Sequence, residues 1–146
     1  MNRLIEQGRL VDALTSARHI LGGPEFCRVT EAILDDANRE VPTLVEELAA
    51  LAPYLRLVVT TNLDHLLERA FPNDWRSITR SSSDTPQRQG VILKLHGTLL
   101  QSDSWVFTRE EYERAVHIDS VHSRTLGALF GARTLLFVGY GIQDLD

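Results

Sequence analysis

The sequence predicts an α/β domain built on a parallel sheet of the doubly wound kind, with helices on both faces and a wholly helical first third. Three observations carry this. Short apolar, β-branched runs alternate with amphipathic helical stretches after residue 55, the order of successive β-α units. The runs are apolar throughout rather than alternating, as in strands covered on both faces. Residues 1–53 show only the three- and four-residue spacing of helices and hold no strand candidate.

In chain order, residues 2–21 read as one helix, with Leu4, Ile5, Leu10, Val11, Leu14, Ala17, Ile20 and Leu21 at helical spacing. Gly22-Gly23-Pro24 stops it. Phe26, Val29, Ile33 and Leu34 mark the inner face of a second helix. Pro42 opens a third, with Leu44, Val45, Leu48 and Leu51 inward, and Pro53 closes it. Leu55 to Thr60 is the first strand. Asp64 to Phe71 is a short helix, Trp75 to Thr79 a second strand, and 80–90 a polar loop containing Ser81-Ser82-Ser83-Asp84. Val91 to Leu95 is the third strand, and Trp105-Val106-Phe107 a short strand or extended segment. Thr108 with Glu111 has the spacing of a capping box, so a helix is predicted from Arg109. A further helix covers 119–131, and Leu135-Leu136-Phe137-Val138 is the last strand. The chain reads as a single domain over 1–146, a helical subregion at 1–53 and a sheet-bearing portion at 55–146, and as part of something larger.

Composition narrows the function classes. The 15 basic and 20 acidic residues leave a net charge of -5, which supplies no basic face for nucleic acid and no attraction to an anionic membrane. One cysteine, Cys27, excludes a disulfide framework and a cysteine-built zinc site, and is expected in the core. No apolar run approaches the roughly 18 residues of a membrane span, and the first residues lack the apolar core of a secretion signal. A cytoplasmic location is expected, with no metal.

Ligands of open α/β sheets bind beyond the carboxyl ends of the strands. Three predicted strands end there in Thr60-Thr61-Asn62-Leu63-Asp64, His96-Gly97-Thr98 and Gly139-Tyr140-Gly141. In a parallel sheet these segments share one edge. Asn62 can donate to and accept from a ribose hydroxyl or a water. His96 can serve as a base near neutral pH. Gly139 and Gly141 let the backbone approach a phosphate or ribose. Each segment also has a plainer use: Asp64 as a turn former or cap at the start of the following helix, His96-Gly97 as a simple turn, and Gly139 and Gly141 as ordinary strand ends. Their co-occurrence at successive strand ends favours the site. Trp105 is placed for packing, close enough in sequence to His96 to wall the pocket. His19, His117 and His122 fall in helical stretches at the surface.

The same segments resemble a known family. Thr60-Thr61-Asn62-Leu63-Asp64 is similar to the T-x-N-x-D segment of sirtuins, and more so to that of prokaryotic sirtuin-like domains of antiphage defence. Lys94-Leu95-His96-Gly97 is similar to the segment bearing their catalytic histidine. Thr108 with Tyr112 resembles the T-x-x-x-Y stretch that follows it, and Leu135 to Asp144 resembles the family's L-F-x-G-Y-S-x-x-D ending. The resemblance implies a Rossmann-like fold, with NAD as substrate and cleavage of its nicotinamide–ribose bond to give nicotinamide and ADP-ribose. It implies that Asn62 positions the ribose and the attacking water, His96 is the general base, and Asp64 lies near the carboxamide. Thr60, Thr61, Gly97, Gly139, Tyr140 and Gly141 would line the nucleotide. A homo-oligomer or larger defence assembly is the implied setting.

The sequence departs from the family at two points. No glycine-rich G-A-G-x-S turn precedes Asn62, so the first β-α unit is either lost or outside this chain. The zinc ribbon of lysine-deacylating sirtuins is absent, which favours the defence branch over a deacylase. The missing phosphate turn leaves open a nucleotide-sensing or assembly module without turnover.

Overall fold

The computed structural model describes residues 2–79, 85, 88–115 and 120–139. The elements run α1 (Asn2–Glu6), α2 (Leu10–Leu21), α3 (Gly23–Leu34), α4 (Thr43–Ala50), β1 (Leu57–Thr60), α5 (Leu66–Ala70), β2 (Arg76–Ile78), β3 (Val91–Lys94), α6 (Arg109–Glu113) and α7 (Ser120–Ala132). The first third is helical and the described strands all follow it, as predicted.

The sheet is wholly parallel in the order β1-β3-β2. β1 leads through α5 to β2 on the far edge, and β3 then enters between them. The central place explains the composition of β3: Val91, Ile92, Leu93 and Lys94 are all buried, Leu93 completely. Burying an Ile or Leu side chain contributes roughly 1.5–3 kcal/mol, so this run anchors the domain. Ile92 packs with Ala52 and Phe71, joined by Ala49, Val58, Leu67 and Trp75, so α4 and α5 cover one face of the sheet. A second cluster, Leu63, Leu99 and Trp105 with Cys27 and Phe107, lies beyond the ends of β1 and β3 and joins α3 to them. Cys27 sits half-buried against that cluster, and Trp105 is packed in it with its indole N–H donating to the Thr98 carbonyl (2.8 Å).

The helical subregion is tied to the sheet-bearing part through α2 and α6. Arg18 on α2 pairs with Glu111. Arg109 pairs with Asp12 at 2.5 Å, and its backbone N–H donates to the Thr15 hydroxyl (3.0 Å). The predicted capping box is present: the Thr108 hydroxyl accepts from the Glu111 amide, and Glu111 Oε2 accepts from the Thr108 amide (2.9 Å). Among the described residues no helix is long and apolar enough to cross a membrane.

Three expectations are corrected. Residues 2–21 form two helices because the chain turns at Gly8, whose φ is +72°. The Gly8 and Arg9 amides bond back to Ile5 and Leu4, a Schellman ending whose left-handed residue suits glycine. Leu44 and Leu51, expected inward, are largely exposed, and so is Ile33, because α3 and α4 bury only part of their apolar stripes. Of the two readings left open for Trp105-Val106-Phe107, the extended segment is the one found: it joins no strand, and the Val106 amide donates to the His96 carbonyl (3.2 Å). Leu135 to Val138 is not a strand: it pairs with none of the three and is exposed, Leu136 by 72%. Apolar, β-type residues favour a strand only where a partner edge and a covering layer receive them. The 80–84 loop, His117, Tyr140, Gly141 and 142–146 lie outside the described residues, as does the His122 side chain.

Candidate active site

The ends of β1 and β3 lie side by side, since Thr60 is in register with Lys94 and the Leu95 amide extends the ladder to the Thr60 carbonyl (2.8 Å). A cleft of about 290 Å³ opens beyond them, lined by Thr61, Asn62, Leu63, Asp64 and Leu66 from the β1–α5 turn and by His96 after β3. Leu34, Arg39 and Phe107 complete the wall. Asn62 and His96, 34 positions apart in sequence, therefore share one cavity. Its volume falls just below the roughly 300–1,000 Å³ usual for small-molecule sites.

Each residue is held differently. The Thr60 hydroxyl accepts the Asn62 amide (3.1 Å) and so shapes the turn, while the Asn62 carboxamide makes no hydrogen bond among the described residues. Asp64 takes the turn-forming role: its Oδ1 accepts from the Leu66 amide (3.1 Å) at the start of α5, although it also lines the cleft. His96 Nε2 lies 2.9 Å from the Tyr112 hydroxyl, with the two rings edge-to-face at 5.5 Å. The T-x-x-x-Y spacing already singled out Tyr112, but only the geometry ties it to the imidazole.

Gly97 is constrained by packing. Its φ is +90°, and a Cβ there would meet Ser104 main-chain and side-chain atoms at 2.4–2.6 Å. Gly139 is not brought to the cleft. It is exposed at φ +65°, lines none of the cavity, and has no described atom within 4 Å of where its Cβ would be. The predicted strand that would have carried it to the sheet edge is not formed.

Sequence reasoning missed the scaffold behind the cleft. Buried Asp36 accepts the His65 amide, its carboxylate lies 3.3–3.4 Å from His65 Nδ1, and His65 Nε2 is 3.0 Å from the Thr98 hydroxyl. Burial works against the Asp36 charge, but the His65 amide and ring outweigh it and hold this carboxyl below its ordinary value. Glu111 behaves alike: burial pushes its carboxyl up, while the Phe107 and Thr108 amides and Arg18 bring it below the usual range. Lys94, wholly buried, donates from Nζ to the Leu63 carbonyl (3.1 Å), the Asp64 carbonyl and Glu68 Oε1 (2.8 Å). The Asp36 and Lys94 contacts carry no motif signal, because partners 26 to 33 residues apart meet only through the fold, whereas Glu111 was already marked by its capping-box spacing. Among the described residues no three His, Cys, Asp or Glu side chains are grouped to hold a metal.

The parallel sheet flanked by helices, with a carboxamide and an imidazole lining one cleft at adjacent strand ends, is an α/β domain of Rossmann-like type. The chain belongs to the SIR2-like domain family, whose model matches residues 56–146. It is similar to proteins named NAD(+) hydrolase ThsA from three bacteria. That of Cytobacillus dafuensis is 25% identical over 92% of this chain and 28% of its own length. That of Acinetobacter baumannii is 29% identical over 80% of this chain and 26% of its own length. That of Enterococcus faecium is 30% identical over 58% and 19%. The chain thus spans about a quarter of the length of these relatives.

Proposed function

We propose that the protein carrying this chain hydrolyses the nicotinamide–ribose bond of NAD, giving nicotinamide and ADP-ribose, as the cytoplasmic effector of a bacterial antiphage defence system. The observation that carries the proposal is the meeting of Asn62 and His96 in one cleft at adjacent strand ends. The names of the relatives support it. The whole chain serves as one domain, 1–53 as its helical subregion.

The chemistry asks little of the residues. The leaving nicotinamide is already cationic, so no acid is needed. Positive charge builds on the ribose carbon as the bond breaks, and a water adds there while giving up a proton. Asn62 orients the ribose and that water, and His96 holds the ribose hydroxyls and takes the proton. Asp64 pairs with the carboxamide from its turn position. Thr60, Thr61 and Gly97 form the backbone floor under the nucleotide. The family resemblance assigns Gly139, Tyr140 and Gly141 to the path of the ribose and phosphates, in a homo-oligomer or larger assembly. Release of nicotinamide by the full-length protein tests the activity, and Asn62→Ala and His96→Ala should each abolish it. Unchanged turnover in either variant sinks the assigned mechanism.

A second reading has its own support: the cleft is small and Gly139 stands apart from it. A module that binds ADP-ribose without releasing nicotinamide would show saturable binding and no turnover.

A further inference from the structure

Lys94 is the buried charge that the chemistry above does not use. It lies on the central strand, two residues before His96, with its side chain wholly removed from solvent. An ammonium is costly to desolvate and persists in such a place only with its hydrogen bonds satisfied. Two of its three acceptors are the main-chain carbonyls of Leu63 and Asp64, the two residues directly after Asn62. The third is Glu68 on α5, which also accepts from the Ser77 hydroxyl (2.9 Å).

Asn62 has no side-chain hydrogen bond of its own among the described residues, so its direction is set by its backbone. That backbone is gripped on one side by the Thr60 hydroxyl at the Asn62 amide and on the other by Lys94 at the next two carbonyls. We propose that Lys94 is a positioning residue: it clamps the turn after β1 to β3, and so directs the Asn62 carboxamide into the cleft shared with His96. The catalytic consequence rests on the hydrolase proposal; the clamp itself does not.

The test uses the full-length protein and three variants. Lys94→Met leaves half-buried Glu68 without its cation and the Leu63 and Asp64 carbonyls without their donor, and risks unfolding. Lys94→Met with Glu68→Leu removes both charges at similar volume, which proteins commonly tolerate. Glu68→Gln weakens the ion pair and leaves the carbonyl grip. In the double variant the melting temperature should fall less than in Lys94→Met alone, since only the two carbonyls and not a charge are left without a partner. The turnover number should fall about 100-fold, the cost of an ångström-scale misplacement, with KM little changed. Amide hydrogen exchange over residues 61–66 should quicken about tenfold or more, as expected when a local restraint is removed. Glu68→Gln should keep most of its turnover. Parental turnover or unchanged exchange over 61–66 in the double variant overturns the proposal. So does a loss in Glu68→Gln as large as that in Lys94→Met. If the parent releases no nicotinamide, the hydrolase proposal fails alone, and the exchange comparison still decides the role of Lys94.

Discussion

Replacing Gly97 with alanine separates two costs that are usually confounded. Its φ of +90° is one that side chains rarely adopt, and the added Cβ would lie 2.4 Å from the Ser104 carbonyl oxygen and 2.6 Å from its carbon. The backbone conformation alone costs roughly 1–2 kcal/mol for a residue with a Cβ. Relieving the overlap requires the 102–104 turn to move, and overpacking of that kind costs roughly 1–3 kcal/mol more. The total of roughly 2–5 kcal/mol is a large part of the roughly 5–15 kcal/mol that holds a domain together. At about 3 °C per kcal/mol the melting temperature should drop by roughly 6–15 °C. Gly90 is the control: its φ is +69°, but the nearest atom to its added Cβ is 3.7 Å away, so Gly90→Ala should show the conformational cost alone. Thermal unfolding of the two variants side by side gives the comparison. Equal, small shifts would refute the steric argument and return Gly97 to a purely ligand-facing role.

Two further outcomes follow from the site's geometry. Tyr112→Phe removes the hydroxyl 2.9 Å from His96 Nε2 and should lower the turnover of NAD about five- to thirty-fold, from a loss of about 1–2 kcal/mol, with little change in stability. An unaltered turnover number would mean that His96 is oriented by something else. Asp36 and Glu111 are both held below their ordinary values of 3.8 and 4.5, so the unfolded chain binds protons more readily than the folded one. Their contribution is fully present above about pH 4.5 and is lost as the pH falls through the depressed folded values. Denaturant unfolding from pH 6 to about 3 should therefore show a shallower acid decline in Glu111→Gln than in the parent; parallel curves would contradict the assignment.

Much of the site was legible because it is written locally. A strand that must be buried on both faces has to be apolar, so Val91 to Lys94 stood out, and the polar residues at its end marked the sheet edge. The capping box at Thr108 and Glu111 was readable because both partners sit within one turn. Gly8 was missed because a single glycine costs a helix only about 1 kcal/mol, and its left-handed φ is decided by packing on either side. The strand expected at Leu135 to Val138 failed for a related reason: hydrophobicity states that a segment favours cover, not which edge will receive it. With it went the placement of Gly139, although Asn62 and His96 met as expected.

The alternation of helices and strands, the parallel sheet it implies, and the residue types waiting at the strand ends are all legible in the chain. These follow from periodicities of two to four residues and from turn chemistry, all of which act within a few positions. That Lys94 grips the carbonyls after Asn62, that Tyr112 meets His96 and that Asp36 anchors His65 emerges from the folded packing alone. Such contacts join groups 16 to 31 residues apart, and no local propensity encodes a distance in space between them.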